Sequence, residues 1–157
     1  MDSLDKIDIK LLSELQANSR LTTKELAQIV NLSTTPVYER VKRLENDGYI
    51  AKYVALLDSR KLNLSFTVFV NVKLIRQTTD GAKEFINAIK DLPEVVECYA
   101  VSGKYDYILK VQAPNMEYYR NLILEVLGRI ESVGSVESTF VMSELKHTTC
   151  LPLGQMK

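Results

Sequence analysis

The apolar residues of this chain change their spacing near residue 65, and this change constrains the fold more than any other feature. From residue 4 to residue 48 they recur every three or four positions, as on one face of a helix. Beyond residue 65, β-branched and aromatic segments such as FTVFVNVKL (66–74) alternate with helical ones. The two periods predict an all-helical unit followed by a mixed unit, and therefore an α+β chain.

The first unit carries clear helix start signals. Asp5 is placed to cap a first helix. Thr22 and Glu25 stand in the spacing of a capping box and predict the start of a second helix. A third helix is expected to begin near Ser33 or Thr35. Three short helices with a tight turn (NLS, 31–33) before the third predict a helix-turn-helix arrangement.

The segment after the third helix predicts a small wing. YIAKYVALL (49–57) has the composition of a strand or strand pair. DSRKLNL (58–64) is polar and basic and is expected to connect the two units. The predicted domains are therefore 1–57, a linker at 58–64, and 65–157.

The second unit predicts the order βαββαβ. Asp80 and Asn115 are expected to cap its two helices, and SGKY (102–105) to form the turn between its middle strands. This order closes into a ferredoxin-like, four-stranded antiparallel sheet with both helices on one face. The other face needs cover, so we expect it to pair with another subunit.

Composition bounds the function classes. Of the 157 residues 46% are apolar and 25% are charged, and the formal net charge is zero, so any attraction to phosphate must be local. Cys98 and Cys150 lack the spacing of a zinc site, Cys98 is expected in a buried strand, and His147 is the sole histidine. With no predicted metal site, catalytic residue, signal peptide or membrane span, we expect a cytoplasmic protein that is not an enzyme.

The predicted third helix has a polar surface suited to nucleic acid. At about 100° per residue, Val37, Val41 and Leu44 face inward. The opposite side and its shoulders carry hydroxyl, amide and charged groups: Thr35, Tyr38, Glu39, Lys42, Arg43 and Asn46, with Arg40 nearer the core. Such groups bind phosphates or base edges in a major groove, although they also suit a solvated amphipathic helix.

The quoted segments together resemble one known family. LDKIDIKLLSELQANSRLTTKELAQIVNLSTTPVYERVKRLENDGYI (4–50), the βαββαβ half and the turn SGKYDY (102–107) are similar to the Lrp/AsnC family of transcriptional regulators. The resemblance implies a winged helix-turn-helix followed by a RAM-type effector-binding and oligomerisation domain. It further implies double-stranded DNA as a partner, no cofactor, and dimers that assemble into octamers as tetramers of dimers.

The resemblance also implies the DNA-contacting residues, which cluster around the start and one side of the third helix. They are Ser33, Thr34, Thr35, Tyr38, Arg40, Lys42 and Arg43. Glu39 departs from the family pattern, because many relatives carry an arginine there. A carboxylate facing DNA repels phosphate but can accept a hydrogen bond from cytosine N4.

The turn within VSGKYDYILKV (101–111) has two interpretations. From its residues it is a tight hairpin in which Gly103 takes an unusual backbone angle. The resemblance implies an amino-acid effector bound at this turn between dimers, with Asp106 as a candidate acceptor for its ammonium group. The implied effector-binding residues are Tyr99, Val101, Ser102, Gly103, Asp106 and Ser138.

The expected effector is aliphatic. Many relatives place threonines on the last strand, where this sequence aligns Ser138 with one and Val136 with the other. The loss of a hydroxyl disfavours a polar ligand side chain and favours leucine or methionine. Two alternatives remain: an amino-acid-binding regulatory subunit of a metabolic enzyme, and an architectural protein that wraps DNA with little sequence preference.

Overall fold

The computed structural model describes residues 4–155. The helices of its N-terminal part are α1 (Lys6–Ala17), α2 (Thr23–Val30) and α3 (Thr34–Asn46). The rest contains, in order, β1 (Phe66–Leu74), α4 (Thr79–Ile89), β2 (Val95–Ala100), β3 (Tyr107–Ala113), α5 (Met116–Glu125), a 3-10 turn (Leu127–Arg129), β4 (Val133–Phe140) and a second 3-10 turn (Leu153–Gln155).

The chain packs as two compact units. One comprises the residues up to Leu56 together with the segment from Lys146 onwards, and the other comprises Leu57–Leu145. The segment from Lys146, which the sequence predicts as part of the second domain, packs here with the first unit. Its anchor is Gln16 of α1, whose side-chain amide exchanges two hydrogen bonds of 2.9 Å with the backbone of Leu151.

The helix starts of the first unit follow the predicted caps. The Asp5 carboxylate accepts the N–H groups of Ile7 and Asp8, and the Asp8 carboxylate accepts the N–H of Asp5. Thr22 and Glu25 form the same reciprocal pair at α2. The helices bury one apolar core, made of Leu11, Leu15, Leu26, Ala27, Val37 and Leu44. The helix-turn-helix prediction is therefore confirmed.

The strand predicted over 49–57 is not formed. Residues 51–58 have no regular secondary structure, and Leu56 and Leu57 are 67% and 74% exposed. β-branched and aromatic residues favour a strand only where a partner completes the hydrogen-bond ladder. Within residues 4–155 no second strand lies beside this segment, so the prediction was wrong for the single chain.

The second unit has the predicted βαββαβ order. Its strands lie in the order β2-β3-β1-β4, and every neighbouring pair is antiparallel. Alternate residues of the central strands, such as Val70 and its partner Leu109, are fully buried. They pack with Phe85 of α4 and Tyr119 of α5 in one core, so both helices cover the same face of the sheet.

Two details of this unit differ from the predictions made from the sequence. Thr78, not Asp80, caps α4 by accepting the N–H of Gly81, because the helix begins at Thr79 and Asp80 lies within its first turn. Cys98, which was expected to be buried, is exposed on β2, because β2 is an edge strand with a single neighbour.

Candidate functional site

One flank of α3 forms an open polar surface. Ser33 is the N-cap of α3, and within the described residues its hydroxyl caps no N–H group. Thr34 and Thr35 follow it and are exposed. Tyr38 is 54% exposed, and the Lys42 ammonium lies 5.9 Å from the centre of its ring. We call these five residues the recognition surface. A helix N-terminus with free N–H groups, hydroxyls and a cation is suited to phosphate.

The other flank of α3 contacts acids of α1. Arg40 Nη1 lies 2.6 Å from Asp5 Oδ2 and 2.8 Å from Asp8 Oδ1. Arg43 Nη2 lies 2.5 Å from Asp8 Oδ2. We call Asp5, Asp8, Arg40 and Arg43 the Asp8 cluster. The structure therefore separates the seven predicted DNA-contacting residues into the recognition surface and two arginines that are engaged within the fold.

The charges around α3 are fixed by these contacts. Hydrogen bonding from the N–H of Asp8, and then Arg40, lowers the pKa of the Asp5 carboxyl below 3.8, although partial burial opposes this. The hydrogen bond to Glu45 raises the pKa of Lys42 above 10.5. These hydrogen bonds favour the charged forms of Asp5 and Lys42. Glu39 is exposed on the same helix.

The turn between β2 and β3 borders a pocket of about 550 Å3. The pocket is lined by Leu74, Gln77, Thr78, Ala82, Ala100, Val101, Ser102, Gly103, Asp106 and Tyr107. It unites four predicted effector-binding residues: Val101, Ser102, Gly103 and Asp106. Gly103 has a φ of +125°, a conformation that side chains disfavour, as expected for a tight hairpin.

Asp106 anchors this turn to the end of β1. Its carboxylate accepts the N–H of Leu74 at 2.8 Å, the Gln77 amide at 2.5 Å and the Lys73 ammonium at 3.3 Å. The N–H of Leu74 is the largest cause that lowers the pKa of Asp106 below 3.8. The backbone N–H of Val101 donates to the carbonyl of Asp106 at 2.9 Å, which closes the turn.

Two predicted effector-binding residues lie elsewhere. Tyr99 is 54% exposed and its hydroxyl donates to Glu97 at 2.8 Å. Ser138 pairs with Val70, so its side chain points to the helix-covered face, where its hydroxyl lies 2.5 Å from that of Tyr119. The strict alternation of strand side chains keeps both out of the pocket of this chain.

Gln77 and Thr78 line the pocket but were missed in the sequence. A polar pair directly after a buried strand, with a hydroxyl that caps the next helix, was the available signal. Among residues 4–155, no three His, Cys, Asp or Glu side chains form a potential metal site. No helix in the described part of the chain has the length and apolar character needed to cross a membrane.

Known proteins match both units. Residues 67–151 match the Lrp/AsnC ligand binding domain, and residues 4–51 match the winged helix-turn-helix DNA-binding family. The leucine-responsive regulatory protein of Escherichia coli K12 is 43% identical over 148 residues, covering 94% of this chain and 90% of that protein. The DNA-binding transcriptional activator DecR of the same strain is 39% identical over 150 residues, covering 96% and 99%.

Solved structures agree with this match over almost the whole chain. A transcriptional regulator from Neisseria meningitidis, solved as its L-Met complex, is 39% identical with a TM-score of 0.92, covering 96% of this chain and 97% of that one. An AsnC family regulator from Agrobacterium tumefaciens is 40% identical with a TM-score of 0.92, covering 98% and 100%. The chain therefore belongs to the Lrp/AsnC family of DNA-binding transcriptional regulators, with an N-terminal winged helix-turn-helix and a C-terminal Lrp/AsnC ligand binding domain of ferredoxin-like fold.

Proposed function

We propose that this regulator reads DNA through the recognition surface, which consists of Ser33, Thr34, Thr35, Tyr38 and Lys42. The observation that supports this most is the open start of α3, where a free hydroxyl and first-turn N–H groups precede an exposed aromatic ring and a cation. Backbone N–H groups and hydroxyls fix register on phosphates, and side chains further along the helix reach base edges.

The remaining predicted DNA contacts border this surface. The Arg43 side chain is 38% exposed and that of Arg40 is 29% exposed, and each donates to α1. Glu39 lies between the flanks and faces solvent, where it would limit non-specific attraction to phosphate. A regulator of this kind works on the chromosome, so the proposal places it in the cytoplasm and assigns it no catalytic step.

Selection of binding sequences from a random duplex library tests the DNA part. The proposal predicts that the wild-type protein enriches a defined motif and binds the selected duplex at least about a thousandfold more tightly than a scrambled duplex of equal composition. Similar affinities for both duplexes would contradict sequence-specific recognition and favour an architectural role.

We further propose that the pocket beside the β2–β3 turn binds an aliphatic amino acid. Within the described residues, the backbone N–H groups of 102–105 donate no hydrogen bond, so they are available to the ligand carboxylate. Asp106 supplies negative charge near the ligand ammonium. Leu74, Ala82 and Val101 give the pocket apolar walls that suit leucine or methionine.

The relatives support this ligand class. One is named a leucine-responsive regulatory protein, and another was solved as an L-Met complex. Isothermal titration calorimetry with leucine, methionine, lysine, aspartate and glutamine tests the proposal. Binding of leucine or methionine at least about tenfold tighter than the three polar amino acids is expected; a preference for any polar one would contradict it.

We also propose self-association through the sheet face opposite the helices. Phe69 lies on this face and is 39% exposed, and Ile108 belongs to the same side of the neighbouring strand. Burying this face in a dimer removes apolar surface from water, and dimers would assemble further into octamers. Light scattering coupled to size exclusion should give a dimer mass or a multiple of it. A monomer at micromolar concentration would contradict this.

A further inference from the structure

The Asp8 cluster connects the first turn of α1 to the middle of α3. Asp8 is 1% exposed and is the sole buried residue of a charged type among those described. Its two carboxylate oxygens accept hydrogen bonds from Arg40 at 2.8 Å, from Arg43 at 2.5 Å and from the N–H of Asp5 at 3.1 Å. A buried carboxylate with three donors is fixed in position, because losing any donor leaves charge without solvation.

The positions of Arg40 and Arg43 on α3 allow their contact with Asp8 to restrain the rotation of the helix. Arg40 and Arg43 are three residues apart and lie on the same side of the helix, so one carboxylate can hold both. Their attachment to Asp8 restrains rotation of α3 about its axis, which the apolar contacts of Val37 and Leu44 restrain less because they are non-directional. Rotation of α3 would turn Thr35, Tyr38 and Lys42 away from the bases.

We infer that Asp8 is a positioning residue for DNA recognition, and that Arg40 binds the Asp8 carboxylate rather than a DNA phosphate. Through Arg40 and Arg43, the Asp8 carboxylate fixes the rotation of α3 about its axis. It thereby orients the recognition surface toward the DNA. Asp5 adds a second acceptor to Arg40 at 2.6 Å, so the Arg40 side chain lies between two carboxylates. This inference rests on the proposed recognition of DNA by α3.

Charge alone predicts the opposite effect of removing Asp8. Replacing an acid by a neutral residue raises the attraction of the protein to DNA, so simple electrostatics predicts tighter binding of Asp8→Asn to every duplex. A positioning role predicts weaker binding to the selected duplex only. For Arg40, a phosphate contact would contribute about 0.9 to the slope of log affinity against log salt, whereas a positioning role leaves that slope unchanged.

Two variants with matched controls distinguish these cases. Asp8→Asn is compared with Asp47→Asn, which removes the same charge from an exposed position at the end of α3. Arg40→Gln is compared with Lys42→Gln, which removes a positive charge from the other flank of the same helix. Fluorescence anisotropy measures the affinity of each for the selected and scrambled duplexes from low to high salt, well below the thermal midpoint of every variant.

The inference predicts about a tenfold loss of preference for the selected duplex in Asp8→Asn and Arg40→Gln, with unchanged salt slopes, and no such loss in Asp47→Asn. It is overturned if Asp8→Asn matches Asp47→Asn, or if Arg40→Gln lowers the salt slope by about 0.9 as a phosphate contact would. If Asp8→Asn does not fold, the duplex preference and the salt slope of Arg40→Gln test the inference instead. A wild-type protein without preference for the selected duplex refutes the proposed function, and this inference with it.

Discussion

The carboxylate of Asp106 accepts the backbone N–H of Leu74 at 2.8 Å, which joins the β2–β3 turn to the end of β1. Because this hydrogen bond favours the ionised carboxylate, it lowers the pKa of Asp106 in the folded protein below 3.8. A lowered pKa contributes stability above the ordinary pKa and loses it as the pH falls through the folded value.

Asp106→Asn should therefore remove part of the acid sensitivity of this unit. The urea midpoint of the wild-type protein is expected to fall between about pH 5 and pH 3, and the difference between wild type and Asp106→Asn should shrink over that interval. Urea denaturation followed by circular dichroism measures it, with the exposed Asp91→Asn as control. A difference that is independent of pH would show that Asp106 contributes no ionised contact.

Filling the pocket should weaken effector binding and leave DNA binding in the absence of effector unchanged. Ala82 lines the pocket from α4, and Ala82→Phe would occupy space needed by a leucine or methionine side chain. Calorimetry should show methionine affinity reduced at least about tenfold, which corresponds to losing the burial of two or more methylene groups. The control is Ile86→Phe on the exposed side of the same helix. Equal loss in both variants, or in neither, would place the effector elsewhere.

Reversing the charge of Glu39 should increase non-specific binding. This residue is exposed on α3, and an arginine there would add a phosphate contact. Glu39→Arg should bind a random duplex several-fold more tightly at low salt, with a salt slope steeper by about 0.9. Glu84→Arg makes the same charge change at an exposed position of α4. Unchanged binding of Glu39→Arg would mean that this position faces away from DNA.

The pair formed by Gln16 and Leu151 should protect the C-terminal segment from proteolysis. Gln16→Ala removes both 2.9 Å hydrogen bonds and is expected to speed tryptic cleavage after Lys146 about fivefold. Mass spectrometry of a digestion time course measures this rate. Gln28→Ala, on an exposed position of α2, is the control. Cleavage at the wild-type rate would show that the segment is held by other contacts.

The sequence predicted the elements whose signals are local. The capping box of Thr22 and Glu25 and the cap at Asn115 both lie within four residues of the helix that they start, and the structure confirms both. The alternation of buried side chains along β1 and along β3 likewise depends only on the order of residues within each strand. For these reasons the helix-turn-helix, the βαββαβ order and the turn around Gly103 followed from the sequence.

The rest depends on contacts between distant residues. Arg40 is basic and lies on a DNA-binding helix, but nothing in its own segment shows that Asp5 and Asp8 lie opposite it. Ser138 has the right residue type for a ligand contact, yet its pairing with Val70 turns it toward α5. The strand expected over 49–57 has suitable residues and lacks a partner within the described part of the chain.

We propose that an amino acid bound in the pocket beside the β2–β3 turn controls DNA binding by this protein. An effector changes DNA affinity only if it binds one state of the protein better than another, and the coupling is then reciprocal. The most direct measurement is a fluorescence anisotropy titration of the selected duplex with and without millimolar methionine or leucine. We expect DNA affinity to shift about fivefold or more with at least one of them, and we expect no shift in the Ala82→Phe variant. Equal affinity with and without either amino acid, under conditions where calorimetry shows it bound, would contradict control of DNA binding by an amino acid.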